Sequence, residues 1–149
     1  MAKKTFQGRP LLPGNLEGEA LVSKQAFNTT ASYLENMFAG RTDSAPCTDT
    51  SNKDLYQKDL NGAIICTTQT VGSTMGAGAL IGMNDLGVAA KAFLFAWHID
   101  SIAAAGLITD DIWNDRRVIT VDLLGDEFLE AVKTGDPIAI HEDGTVEVG

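Results

Sequence analysis

Apolar residues along this chain fall in short dense runs separated by turn formers. Ala20-Leu21-Val22 follows "PGNLEGE", and Ala63-Ile64-Ile65-Cys66 follows Asn61-Gly62. "VAAKAFLFA" covers residues 88–96 and "RRVITVD" covers 116–122. Runs of roughly four to eight apolar residues bounded by Gly, Asn or Asp read as buried strands. The pattern predicts strands near Gly18–Ser23, over Ala63–Thr67, within 88–96 and within 116–122, the last with Asp122 at its C-terminal end. "DPIAIHEDGTVEV" reads as a hairpin that pairs Ile138-Ala139-Ile140 with Thr145–Val148 around Asp143-Gly144.

Helical signals lie between these runs. "TASYLENMF" (30–38) predicts a short helix capped by Thr29 or Thr30. Ala77 to Leu86 reads as a helix with Gly87 as its stop. "SIAAAGLI" (101–108) follows a cap at Asp100 or Ser101, and "DEFLEAVKTG" forms an amphipathic turn or helix ending at Gly135. The stretch from Ala39 to Gly62 is polar, rich in turn residues and almost without periodicity; such long loops are functional or disordered. There is no internal repeat and no linker, and the length of 149 residues favours one domain over 1–149. Mixed helix and strand order with β-rich ends gives an α/β domain with a barrel-like or mixed sheet.

Charge removes one class of function. The formal net charge is −9, which argues against nucleic-acid binding, since that requires Lys and Arg to neutralise phosphates. The imbalance is confined to the second half: residues 1–75 carry seven basic and seven acidic side chains, residues 76–149 four and thirteen. "MAKKTFQGRPLLPG" has the basic start of a signal peptide but no apolar core, and no stretch reaches the length of a membrane span. Of the two cysteines, Cys66 ends an apolar run and is expected to be buried. Cys47 lies in the polar stretch and is expected to be exposed, which suits a reducing cytoplasm.

The chemistry concentrates in "TQTVGSTMGAGALIGMNDLG" (68–87). Nearly every side chain from Gly72 to Ala79 is tiny or a hydroxyl. The run lacks the Lys of a nucleoside triphosphate loop and does not fit a dinucleotide fingerprint. It fits a strand-to-helix turn that offers hydroxyls and unpaired backbone N–H groups to a small anion. Close helix–sheet packing is the competing explanation for the same small residues. Ser73 and Thr74 stand at the mouth of this turn.

Five blocks, "GNLEGEALVS", "LNGAIICTTQTVGSTMGAGALIGM", "GVAAKAF", "VITVD" and "TGDPIAIHEDGTVEV", occur in an order that resembles the small, swivel-domain subunit of the aconitase X group. The resemblance runs from about Gly14 to the end. It implies a swivelling β/β/α domain paired with a larger subunit that carries an iron–sulfur cluster. It also implies a hydro-lyase that dehydrates a small hydroxy acid such as cis-3-hydroxy-L-proline or mevalonate 5-phosphate. Carried over by position, Ser73 is the catalytic base with Thr74 beside it, and Gly72, Gly76 and Ala77 form the substrate-facing turn. Where the group has a Gly-Ser-Ser-Ser-Gly-Ser-like loop, this chain has Thr74, Met75 and Ala77 in place of serines; Thr74 keeps a hydroxyl, and the other two do not.

Such a dehydration needs a base for the proton beside the carboxylate, stabilisation of the charge that develops, and a Lewis acid for the departing hydroxide. No metal site is expected in this chain, although Cys47 could reach a partner's cluster as an extra ligand. The other functional class open to this sequence is a non-catalytic swivel module that binds a small anionic ligand or scaffolds a partner protein. A phosphohistidine carrier is disfavoured, because no His precedes His98. His98 is expected at the rim of the core, with acid–base work open to it, and His141 on the surface. Arg116 and Arg117 read as a surface ion-pair cluster or a grip for an anion. Trp97 and Trp113 read as core or interface anchors.

Overall fold

The structure is a computed structural model and describes residues 2–149. Along the chain lie β1 (Lys4–Gln7), β2 (Arg9–Leu12), β3 (Leu16–Val22), β4 (Phe27–Asn28), α1 (Thr29–Ser32), α2 (Leu34–Ala39), β5 (Ile64–Thr67), β6 (Thr70–Val71) and α3 (Gly76–Asp85). They are followed by β7 (Ala92–Phe95), α4 (Ser101–Asn114), β8 (Ile119–Asp122), α5 (Asp126–Ala131), β9 (Pro137–Ile140) and β10 (Thr145–Val148).

Eight strands form one mixed sheet in the order β1-β10-β9-β3-β5-β7-β8-β2. The two end strands are neighbours in sequence. Only Gly8 separates β1, which pairs with β10, from β2, which pairs with β8. The sheet therefore curls into a nearly closed barrel with its seam at Gly8. A Cβ there would lie 2.6 Å from the Asp122 carbonyl oxygen and 2.6 Å from Val121 Cγ1, so no larger residue fits. β3 is long enough to serve two partners: Leu16–Glu19 runs antiparallel to β9, and Ala20–Val22 runs parallel to β5.

β5, β7 and β8 are parallel and buried along their whole length. Period-two alternation divides their side chains between two cores. Ile64, Cys66, Ala92, Leu94, Ile119 and Val121 fill the barrel with Phe128, Val132, Ile140 and Val146. Ile65, Phe93 and Phe95 face outward, where α3, α4 and the 40–63 segment cover them. Phe27 packs on Tyr33 and Phe93 with ring centroids 5.7 and 5.6 Å apart.

The 40–63 segment is ordered although it contains no helix or strand. Ala45, Cys47, Leu55 and Leu60 are buried in the outer core. Asp59 accepts from the backbone N–H of Ala45 at 2.8 Å, and the Asn36 amide donates to the carbonyls of Arg41 and Ser44. Cys47 is thus buried rather than exposed: four apolar anchors spaced irregularly along a polar stretch suffice to fold it down as a compact loop.

Two helices differ from the sequence expectation. The predicted 30–38 helix is broken at Tyr33 into α1 and α2, because the ring of Tyr33 is drawn into the core. Its cap is Asn28, whose side chain accepts from Ala31 N, rather than Thr29 or Thr30. α4 begins at the expected Asp100 cap but continues six residues past Ile108, to Asn114. Its last turn is held by Asp110, which is buried and receives Asn84, Asn114 and Arg116.

Candidate functional site

The small-residue turn leaves the carboxyl end of the parallel strands, where ligands of open α/β sheets are commonly held. β6 pairs in parallel with β4, so Thr70 and Val71 lie beside Phe27 and Asn28 and set the start of the turn next to α1. Gly72 follows with φ +128°, and a Cβ there would come 2.7 Å from the Asn28 Oδ1 that caps α1. Both the backbone and the space require glycine.

Ser73, Thr74 and Met75 are exposed. Ser73 Oγ accepts the Met75 N–H at 3.2 Å and lies 3.2 Å from Thr30 Oγ1 on α1. α3 then begins without a side-chain cap, and its first-turn N–H groups have no partner within the helix. A hydroxyl at the positive end of a helix, receiving a backbone N–H, is placed where a negative oxygen is favoured.

The remaining small residues pack. A Cβ at Gly76 would collide with Thr29 Oγ1, and Gly106 of α4 lies on the Ala77 backbone. Close packing therefore accounts for part of the stretch and leaves the rest exposed. Gly72 and Ser73–Met75 face outward, whereas Gly76 and Ala77 seat the helix on α1 and α4.

A second polar group opens at the same end of the sheet. Asp122, the last residue of β8, is fully buried and is held by Arg9, whose Nε and Nη2 donate to its two oxygens at 2.8 and 2.6 Å. Ile99 N adds a third hydrogen bond at 3.1 Å. Asp122 raises the Arg9 pKa above its ordinary value, chiefly through these side-chain hydrogen bonds. His98, just past β7, is exposed and brings Nδ1 to 3.5 Å from Arg9 Nη2. The loop carrying His98 is stitched to the start of the Ser73 turn: Thr70 Oγ1 donates to Asp100 Oδ1 at 2.9 Å and accepts from Asp100 N at 3.1 Å.

The other residues singled out from sequence lie elsewhere. His141 is exposed and bonds Glu147 at 3.0 Å. Arg116 pairs with Asp85 and Asp110, and Arg117 with Asp111, so both are committed to ion pairs, and neither bonds the neighbouring Asp115. Trp97 and Trp113 are exposed rather than core residues; the Trp97 indole N–H donates to Asp126 at 2.6 Å.

The thiols do not fit an iron–sulfur cluster. Cys66 points into the barrel and Cys47 lies in the outer core, so a sheet separates them, and burial pushes both pKa values up. A cluster ligand must be a thiolate that reaches the metal. The expectation that Cys47 could serve as an extra ligand is therefore corrected. Among the described residues no group of three or more His, Cys, Asp or Glu is placed to hold a metal ion. No helix among them is long and apolar enough to cross a membrane.

A nearly closed barrel with helices on one face and a hydroxyl-bearing turn at the carboxyl end of its parallel strands defines a swivel-type domain. The sequence profile of the aconitase X swivel domain matches residues 5–148, and the chain belongs to that family. It is 30% identical over 144 residues to the phosphomevalonate dehydratase small subunit of Archaeoglobus fulgidus, covering 96% of this chain and 97% of that one. It is 29% identical to the corresponding subunit of Aeropyrum pernix, covering 96% and 92%. The crystal structure of Thermococcus kodakaraensis aconitase X in its holo form superposes with a TM-score of 0.80 over 98% of both chains at 23% identity, a likeness of fold.

Two site residues escape sequence reasoning. Arg9 meets Asp122 across 113 positions, and nothing local to "QGRPLL" marks it. Thr30 carries a visible signal, a hydroxyl next to a helix start, but that signal reads as a cap, whereas its partner is Ser73.

Proposed function

We propose that this protein is a single swivel domain that acts as the small subunit of a two-subunit hydro-lyase and dehydrates a phosphorylated hydroxy acid. The phosphomevalonate dehydratase small subunits, similar over nearly their whole length, support the substrate class. The iron–sulfur cluster of this reading belongs to the larger partner. The observation that carries the reading is Ser73 Oγ, set in an exposed turn between the Met75 N–H and the Thr30 hydroxyl.

Ser73 takes the proton from the carbon beside the substrate carboxylate. A serine serves as a base only when ionised, and an isolated one is too weak an acid for that. Here the Met75 N–H donates to Oγ, the Thr30 hydroxyl is placed to donate a second bond, and the amino end of α3 favours the negative charge. Thr74, beside Ser73 and without a side-chain partner among the described residues, is free to bond the substrate. The Thr74 N–H, which makes no hydrogen bond among the described residues, is left to receive the charge that develops as the proton leaves.

The test is co-production with an aconitase X type large subunit, anaerobic purification and a dehydration assay on phosphorylated hydroxy acids. The expected result is a two-chain, iron-bearing complex whose Ser73→Ala variant assembles normally and loses on the order of a thousandfold in kcat. If the chain travels alone and iron-free, or Ser73→Ala keeps full activity, the reading falls and the non-catalytic binding module takes its place.

A further inference from the structure

We propose that Arg9 and His98 form the recognition site for the substrate phosphate; this rests on the hydro-lyase reading and names the part of this chain that selects a phosphorylated acid. The site is built from the inside outward. Asp122 is wholly buried, while the Arg9 side chain is 47% exposed. Two of the three guanidinium nitrogens are fixed on the carboxylate, which holds the planar fork in one orientation. Nη1 makes no hydrogen bond among the described residues, so a fixed donor edge is presented outward. Such an edge matches the tetrahedral oxygens of a phosphate.

His98 extends the site. Arg9 Nη2 can only donate, so a hydrogen bond across the 3.5 Å to Nδ1 requires the neutral ring tautomer that carries its proton on Nε2. In that tautomer Nε2–H is a second donor beside the guanidinium, on an exposed side chain. His98 follows the carboxyl end of β7, and Arg9 opens β2 opposite Asp122, at the carboxyl end of the neighbouring parallel strand β8. The Thr70–Asp100 hydrogen bonds tie the His98 loop to the strand that leads into Ser73. A purely structural salt bridge between β2 and β8 would explain Asp122 and the inner edge of Arg9. It would not explain an exposed histidine placed 3.5 Å from the same Nη2, at the same end of the sheet as the serine turn.

The experiment uses the assembled two-chain enzyme with His98→Ala and Arg9→Lys. His98 is exposed, so its variant keeps the fold; Arg9→Lys keeps a charge opposite Asp122 but loses the fork. KM and kcat are measured for the phosphorylated hydroxy acid and for its phosphate-free analogue, together with inhibition by inorganic phosphate. Both variants are expected to raise KM for the phosphorylated acid about tenfold with kcat changed less than about twofold. Phosphate inhibition should weaken in parallel, and the phosphate-free analogue should be unaffected. An equal loss for both acids would make the pair a carboxylate site and overturn the assignment, as would unchanged KM values or failure of the His98→Ala chain to assemble. Wild-type complex that does not turn over the phosphorylated acid would instead refute the hydro-lyase reading itself.

Discussion

Gly106 of α4 lies directly on Ala77 of α3: a Cβ at Gly106 would come within 2.7 Å of both the Ala77 Cα and its carbonyl oxygen. Both atoms belong to a helix backbone and cannot step aside. Alanine at Gly106 gains about 1 kcal/mol of helix propensity, but overpacking costs about 1–3 kcal/mol in ordinary cores and more against backbone. The clash wins. Gly106→Ala is expected to lower stability by about 2 kcal/mol, or Tm by about 6 °C. Gly82, on the open side of α3, meets nothing within 4 Å, so Gly82→Ala should stabilise by about 0.5–1 kcal/mol. Urea unfolding of the two variants checks both signs, and equal effects would contradict the contact.

The Ser73 turn leans on α1 through one hydroxyl, that of Thr30. Thr30→Val keeps the shape and removes the oxygen 3.2 Å from Ser73 Oγ. The α1 cap is Asn28, so the fold does not depend on Thr30. If Ser73 is the base proposed above, the expected outcome is a complex of normal Tm whose kcat falls about tenfold, the effect of one lost hydrogen bond to a developing charge. A steady-state assay beside a melting curve decides it; a lowered Tm with unchanged kcat would make Thr30 structural.

The parallel strands were legible in the sequence because they are buried on both faces, and a run such as Ile64–Thr67 or Phe93–Phe95 has no other reading. The closing hairpin was legible from Asp143-Gly144. β1 and β2 were not, since Lys4–Gln7 and Arg9–Leu12 are edge-like, partly exposed segments whose pairing is dictated by distant strands. The 40–63 segment misled for a related reason. Its four anchors have no period, so Cys47 looked like a surface thiol. The exposed turn that carries Ser73 is legible from local composition. Arg9 meets Asp122 only after the barrel closes, and Thr30 meets Ser73 only when β4 pairs with β6, so no short pattern records either contact.

That seam offers its own test. Gly8 is pressed between the Asp122 carbonyl, Val121 and Leu124, and its N–H donates to the Gly144 carbonyl at 2.9 Å. Gly8→Ala should part β2 from β8 at the end where Arg9 grips Asp122, at a cost of about 2–3 kcal/mol. Native-state hydrogen exchange should then quicken at residues 9–12 and 119–122 more than at β5 and β7. Uniform acceleration would mean global destabilisation with the seam intact.

Cys47 and Cys66 give the protein a defined alkaline limit. Burial raises both folded-state pKa values above the ordinary 9.0, and burial likewise raises Tyr33 above its ordinary 10.0. For a group whose folded pKa is raised, the stabilisation is complete below the unfolded pKa and is lost as pH climbs toward the folded one. The unfolded chain therefore begins to release these protons near pH 9 while the folded chain retains them. Above that point Cys66 should lower the unfolding free energy by about 1.4 kcal/mol per pH unit, with Cys47 acting in the same direction and Tyr33 joining above about pH 10. Urea titrations between neutral and alkaline pH should show a flat region followed by a steep fall. The same burial predicts that a disulfide reagent at about pH 8 labels neither thiol in the native protein and both after denaturation. Rapid native labelling of Cys47 would place it at the surface and undo the folded course of the 40–63 segment, and a stability curve that stays flat beyond pH 9 would contradict the burial of both thiols.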